Sequence, residues 1–144
     1  MSMEISIREA TYIKVIGKLT NCGERSTSSI EIAKELGVKA PSAVDMIKRL
    51  ESMGIVEHTP WRGVKLTDKG VMKYKMLIRK YKILETYLHI TFNMSLEEAC
   101  ECVSKFDVYV PKKVIDAMCA YMGHPKRCPH GDEIPRDTEC CGVS

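Results

Sequence analysis

Aromatic residues are scarce in this 144-residue chain, which holds one Trp, two Phe and six Tyr. No apolar run approaches the ~18 residues of a membrane-spanning helix. The opening residues, Met1-Ser2-Met3-Glu4-Ile5, lack the basic flank and apolar stretch of a secretory signal. There is no glycine-rich phosphate loop, no nucleophile elbow and no close His/carboxylate pair, which argues against an enzyme. Neither a membrane partner nor a small organic substrate is expected. A cytoplasmic location follows as the expectation, and thiols stay reduced there. The seven cysteines then read as free thiols, metal ligands or redox groups rather than structural disulfides.

What is present is a soluble mixture of 44% hydrophobic and 28% charged residues. The net charge of +3 is unevenly placed. Between Arg62 and Lys82 lie the cations Arg62, Lys65, Lys69, Lys73, Lys75, Arg79, Lys80 and Lys82, against the single anion Asp68. Such a run reads either as a phosphate-facing surface or as a solvated helix face.

The first third predicts three helices. Ile7, Ala10, Ile13, Ile16 and Leu19 recur at helical spacing within residues 6–21. Ser28-Ser29-Ile30-Glu31 fits a capping box opening a short helix, Ser29 to Leu36, which Gly37 stops. Pro41 suits the first turn of a third helix, although Ala40 is a poor N-cap. Val44, Ile47 and Leu50 form its inner face, and Ser42, Asp45, Arg49 and Ser52 an outer polar stripe. Two short helices joined by a tight turn make a helix-turn-helix. Two short extended runs follow, Ile55–Thr59 and Val64–Thr67, joined by Pro60-Trp61-Arg62-Gly63. A β-hairpin directly after a helix-turn-helix is the layout of a winged helix, with Arg62 at the wing tip and Lys65 on the second strand.

Thr67 caps a long helix running to about Ile90, striped with Leu77, Tyr81, Leu84 and Leu88. It outruns the winged helix, so its distal half needs other partners, the helices expected at 95–107 and 111–122. Three apolar helices without a sheet predict a dimerisation unit, and Leu84 is expected at its interface. From Gly123 on, the chain is rich in Pro, Cys and charge and has no periodicity. The fold class expected is mainly α with a small β-hairpin wing: an N-terminal winged helix-turn-helix plus an α-helical dimerisation domain. The expected domains are 1–70 (DNA-binding), 71–135 (dimerisation and metal-binding) and 136–144 (a Cys-containing tail).

Several stretches resemble the diphtheria-toxin-repressor family of iron- and manganese-responsive winged-helix regulators. They are Thr11-Tyr12-Ile13, Ile32-Ala33-Lys34-Glu35-Leu36-Gly37-Val38, and Leu50-Glu51-Ser52-Met53-Gly54-Ile55-Val56. The most specific is Arg62-Gly63-Val64-Lys65-Leu66-Thr67-Asp68-Lys69-Gly70. Arg79–Glu85, Glu98-Ala99-Cys100, and Gly123-His124-Pro125 through Cys128-Pro129-His130-Gly131 continue the likeness, which covers residues 5 to 135 in a short two-domain form. The resemblance implies homodimers that bind palindromic double-stranded DNA operators when metal is present. It places Lys39, Pro41, Ser42 and Asp45 at the groove-facing end of the recognition helix. Asp45 either accepts from a base amine such as cytosine N4 or lies at the groove edge.

The metal positions depart from the family pattern. The first-helix positions read Thr11 and Lys14, the long-helix His position is Tyr81, and the later positions are Ser104, Asp107 and Val108. Glu85, Cys100 and Asp107 remain as candidate ligands by resemblance. In the tail, His124, Cys128, His130, Cys140 and Cys141 supply soft or borderline donors within a short span, with Cys128 and His130 expected as a pair. Cys22 and Cys119 read as small apolar fillers. The expected function is a metal-responsive repressor of metal-homeostasis genes, carrying Fe²⁺ or Zn²⁺ rather than Mn²⁺. The alternative is a thiol/redox or iron–sulfur-responsive regulator of the same build.

Overall fold

Serine oxygens start the first two helices of the computed structural model, which describes residues 5–142. Ser6 Oγ accepts from Glu9 N (3.1 Å) to open α1, Ile7–Leu19. Ser28 Oγ accepts from Glu31 N (3.1 Å) to open α2, Ser29–Leu36, and left-handed Gly37 (φ 68°) closes it. α1 ends two residues short of the stretch its periodicity suggests. Asn21 and Cys22 take positive φ (49° and 60°), which a helix cannot continue. α3, Ala40–Ser52, follows Lys39, which makes no side-chain cap bond; Pro41 occupies the first turn.

β1, Val56–Thr59, and β2, Gly63–Leu66, pair antiparallel in the register Val56↔Leu66 to Thr59↔Gly63. Val64 also exchanges both backbone bonds with Thr27 (2.8 and 2.7 Å), so the wing is tied to the segment before α2. Ile13, Ile16, Ile32, Ile47, Leu50, Ile55 and Val64 are almost wholly buried and form this part of the core. Among the described residues the fold is helical apart from this hairpin and isolated bridges.

The chain divides into two units, the first ending at Lys75 and the second beginning at Met76. The division falls inside α4, Asp68–Phe92, five residues beyond the boundary expected from sequence. Its opening turns belong to the first unit because Gly70 lies against the Ile55 carbonyl and Tyr74 against Gly17. A Cβ at Gly70 would collide with that carbonyl oxygen, a backbone atom that cannot swing aside. Alanine normally gains about 1 kcal/mol over glycine inside a helix, while overpacking of this kind costs about 1–3 kcal/mol. Gly70→Ala is therefore expected to lower stability by a net amount of up to about 2 kcal/mol in urea unfolding. A variant as stable as the parent would show that this approach relaxes freely.

In the second unit the distal part of α4 packs with α5, Leu96–Val103, and α6, Lys112–Tyr121. The helix expected over 95–107 breaks after Val103. A 3₁₀ turn, Asp107–Tyr109, follows, with its capping residue Phe106 in a non-helical conformation. Residues 136–142 are not a separate tail. Asp137 caps a short α7, Thr138–Cys141, whose Cys140 and Cys141 pack on the core formed by Ile83, Leu84, Val103, Ile115, Cys119, Cys128 and Ile134. Leu84 is 1% exposed within one chain, so it belongs to this core rather than to a dimer interface.

Candidate metal centre and DNA-contacting surface

Three elements of the second unit converge on one point. α4 supplies Glu85, which is 2% exposed, and α5 supplies Cys100. The third donor comes from a tight loop: Arg127 and Glu133 bridge, the Gly131 N–H donates to the Cys128 carbonyl (2.9 Å), and His130 lies between them. The Cys100 thiol donates to Glu85 Oε2 (2.9 Å) and lies 4.0 Å from His130 Nε2. His130 Nδ1 is 3.6 Å from Glu85 Oε2. One donor atom from each of Glu85, Cys100 and His130 lies within 4.8 Å of the others. Burial, then the hydrogen bond to Glu85, pushes the Cys100 thiol up. Tyr81, which stands at the family's His position, directs its hydroxyl to the Cys100 carbonyl (3.5 Å).

A carboxylate, a thiol and an imidazole held by three different segments fit a divalent transition metal. The fit lies in the donor chemistry: the carboxylate is almost wholly desolvated, and both other donors face its Oε2, at 2.9 and 3.6 Å.

A second group is formed by Cys119, His124, Cys140 and Cys141, again with donor atoms within 4.8 Å. The candidates read from the sequence as a single tail cluster are thus divided between two places. His130 joins Glu85 and Cys100, whereas His124, Cys140 and Cys141 gather around Cys119. Cys128, expected beside His130, belongs to neither group. It is buried in the core with Lys82 Nζ 3.9 Å from its sulfur, because the turn that projects His130 directs Cys128 inward. Asp107 is 1% exposed in the 3₁₀ turn and also lies outside both groups. Cys119, read as filler, is the residue sequence reasoning missed. Its signal was its place five residues before His124, close enough across a helix end to share a site.

On the first unit, Lys39, Pro41 and Asp45 are exposed at the start of α3, and Ser42 is half-buried. Arg49 is only partly free, since its Nη2 lies 3.5 Å from the buried carboxylate of Glu9. At the wing tip Arg62 and Trp61 are exposed, Trp61 almost completely (98%), and Lys65 is exposed on β2. Exposed cations flank one polar helix face and one hairpin, which is the geometry of a helix-turn-helix with a wing.

This fold and site define a class: a winged-helix DNA-binding regulator carrying a separate helical metal-binding unit. Residues 4–64 match the family described as iron dependent repressor, N-terminal DNA binding domain. Residues 67–136 match iron dependent repressor, metal binding and dimerisation domain. The chain is 31% identical over 111 residues to the transcriptional regulator MntR of Salmonella typhimurium, covering 76% of this chain and 69% of that one. A hypothetical protein of Sulfolobus solfataricus, SSo2273, superposes with TM-score 0.78 at 31% identity, over 92% of this chain and 100% of that one. A manganese-dependent transcriptional repressor solved with manganese gives TM-score 0.78 at 29% identity, over 89% of this chain but 58% of that one. The chain belongs to the iron-dependent repressor family. It is a metal-dependent transcriptional repressor, not an enzyme, and no helix among its described residues is long and apolar enough to cross a membrane.

Proposed function

We propose that the protein is a homodimeric repressor of metal-homeostasis genes that binds palindromic operators when Glu85, Cys100 and His130 hold Fe²⁺ or Zn²⁺. The observation that carries this reading is the convergence of those three side chains from α4, α5 and the 127–133 loop. A metal there cross-links three segments and leaves one coordination position open, the build of an exchangeable site rather than a closed structural one. Metal that binds the ordered unit shifts the population toward that order.

The metal choice follows from the thiolate. Manganese favours oxygen donors, while cysteine and imidazole suit Fe²⁺ and Zn²⁺. Relatives named for manganese are similar in fold, but this chain places Cys100 in its site. An iron–sulfur cluster calls for several thiolates, and this group offers one.

Dimerisation involves the exposed aromatic face of the second unit. Tyr87 contacts Phe92 (6.1 Å) and Tyr121 (6.0 Å) edge-on, and Phe92 and Tyr121 remain 60% and 77% exposed. An exposed aromatic patch in the region described as a dimerisation domain fits a second copy of this chain. Tyr121→Asp is expected to give folded monomers by light scattering; a variant that stays dimeric places the interface elsewhere.

The direct test is selection of duplexes from a random-sequence pool, run anaerobically with Fe²⁺ or with a chelator. Enrichment of a palindrome with half-sites about one helical turn apart, only in the metal arm, is expected. Equal enrichment in the chelator arm would overturn metal-dependent binding.

A further inference from the structure

Cys119, His124, Cys140 and Cys141 surround one point at the junction of α6 and α7. Cys119 Sγ lies 3.3 Å from His124 Nδ1 and 3.7 Å from Cys141 Sγ, and Cys140 Sγ lies 3.7 Å from His124 Nδ1. A tetrahedral zinc with bonds of ~2.3 Å to sulfur and ~2.0 Å to nitrogen separates its ligands by roughly 3.5–3.8 Å. Two of the three separations fall within that range and the third, 3.3 Å, lies just below it, whereas a disulfide requires sulfurs ~2.05 Å apart.

Two further observations point into the same place. Arg79 is 5% exposed; its Nη1 donates to Asp116 Oδ1 (2.8 Å), but its Nε and Nη2 are buried without a hydrogen-bond partner. A buried guanidinium beside Cys119 can offset the negative charge of a thiolate-rich metal complex. His124 adopts φ 55°, in the left-handed region that disfavours a residue with a Cβ, and its N–H donates to the Cys119 carbonyl (2.8 Å). That conformation turns the imidazole back onto the cysteines, and such outliers gather at ligand clamps. Asp137 in turn caps α7 by accepting from Cys140 N (2.9 Å), which orients the Cys140–Cys141 pair.

We infer that Cys119, His124, Cys140 and Cys141 form a second metal site, a closed Cys₃His zinc centre that pins α7 to α6. All four positions are filled by protein, so it is structural and separate from the exchangeable Glu85, Cys100 and His130 site. Cys₃His differs from that site in having three thiolates, which makes the two distinguishable by spectroscopy whether or not the first one senses metal.

The experiment uses the whole 144-residue chain, purified anaerobically without added metal, then stripped and loaded with Co²⁺. One tightly held zinc per chain is expected as purified. After loading, intense thiolate-to-cobalt charge transfer with visible ligand-field bands of tetrahedral cobalt is expected. Cys141→Ser and His124→Gln should each lose that zinc and most of the charge-transfer intensity, while Cys100→Ser keeps the zinc and loses only the smaller contribution of its single thiolate. Because Cys119 is buried and its replacement disturbs the core itself, Cys141 on α7 carries the main comparison. Tryptic cleavage at Arg136, which donates to the His124 carbonyl (3.0 Å), should speed up at least tenfold on stripping zinc. Full zinc in both variants, no thiolate–cobalt bands in the parent, or a Cys119–Cys141 disulfide in the anaerobic protein overturns the site.

Discussion

Cys100→Ser is expected to lose at least about 100-fold in affinity for Fe²⁺ and Zn²⁺, and with it metal-dependent operator binding. Even residues that only support a ligand cost 10–100-fold when changed, so removal of a ligand sets that as a floor. Serine keeps the size but not the soft, ionisable sulfur, and its hydroxyl stays protonated near neutral pH. Glu85→Gln should act in the same direction: it removes the carboxylate of the site, whose charge offsets the cation, and leaves an amide oxygen as a weak donor. Cys102→Ser is the control. Cys102 is exposed on the same helix, two residues away, and belongs to neither donor group, so the variant should bind metal and DNA as the parent does. Anaerobic equilibrium dialysis reads the first effect and a DNA shift the second. Parent-like metal affinity in Cys100→Ser would remove Cys100 from the site.

The other large effect is in salt. If Lys39, Arg62 and Lys65 each neutralise one phosphate, a dimer makes about six such contacts, and affinity should fall about 10³-fold between 50 and 200 mM salt. Arg62→Ala removes two of the six. The same salt rise should then cost only roughly 10²-fold, with all duplex sequences weakened alike. Ser42→Ala should instead weaken preferred sites selectively, because a hydroxyl near the base edges reads sequence rather than charge. Fluorescence anisotropy across a salt series checks both, and an unchanged slope for Arg62→Ala would take the wing off the DNA backbone.

The first unit could be read closely from sequence because its signals are local. Ser28 to Glu31 makes a capping box, the apolar period changes from helical to alternating at Ile55, and Gly63 with its positive φ (82°) ends the wing turn. The second unit was harder. Its helices were legible from periodicity, but its donor groups join residues far apart in the chain: Glu85 with His130, and Cys119 with Cys141. Spacing rules see only neighbours, so they grouped Cys128 with His130. A turn that directs one residue inward and the next but one outward separates such pairs. Leu84 was misplaced for a related reason. An apolar stripe shows that a face is covered but not whether the cover is α6 of the same chain or a second copy.

The central claim is that transition metal at Glu85, Cys100 and His130 switches on DNA binding. It is tested most directly by anaerobic fluorescence anisotropy on the selected duplex, with chelated protein titrated in parallel with Fe²⁺, Zn²⁺ and Mn²⁺. Tight binding with Fe²⁺ or Zn²⁺, weak binding with Mn²⁺ and none in chelator is the expected result. Equally tight binding by the chelated protein, or restoration by Mn²⁺ alone, would contradict it.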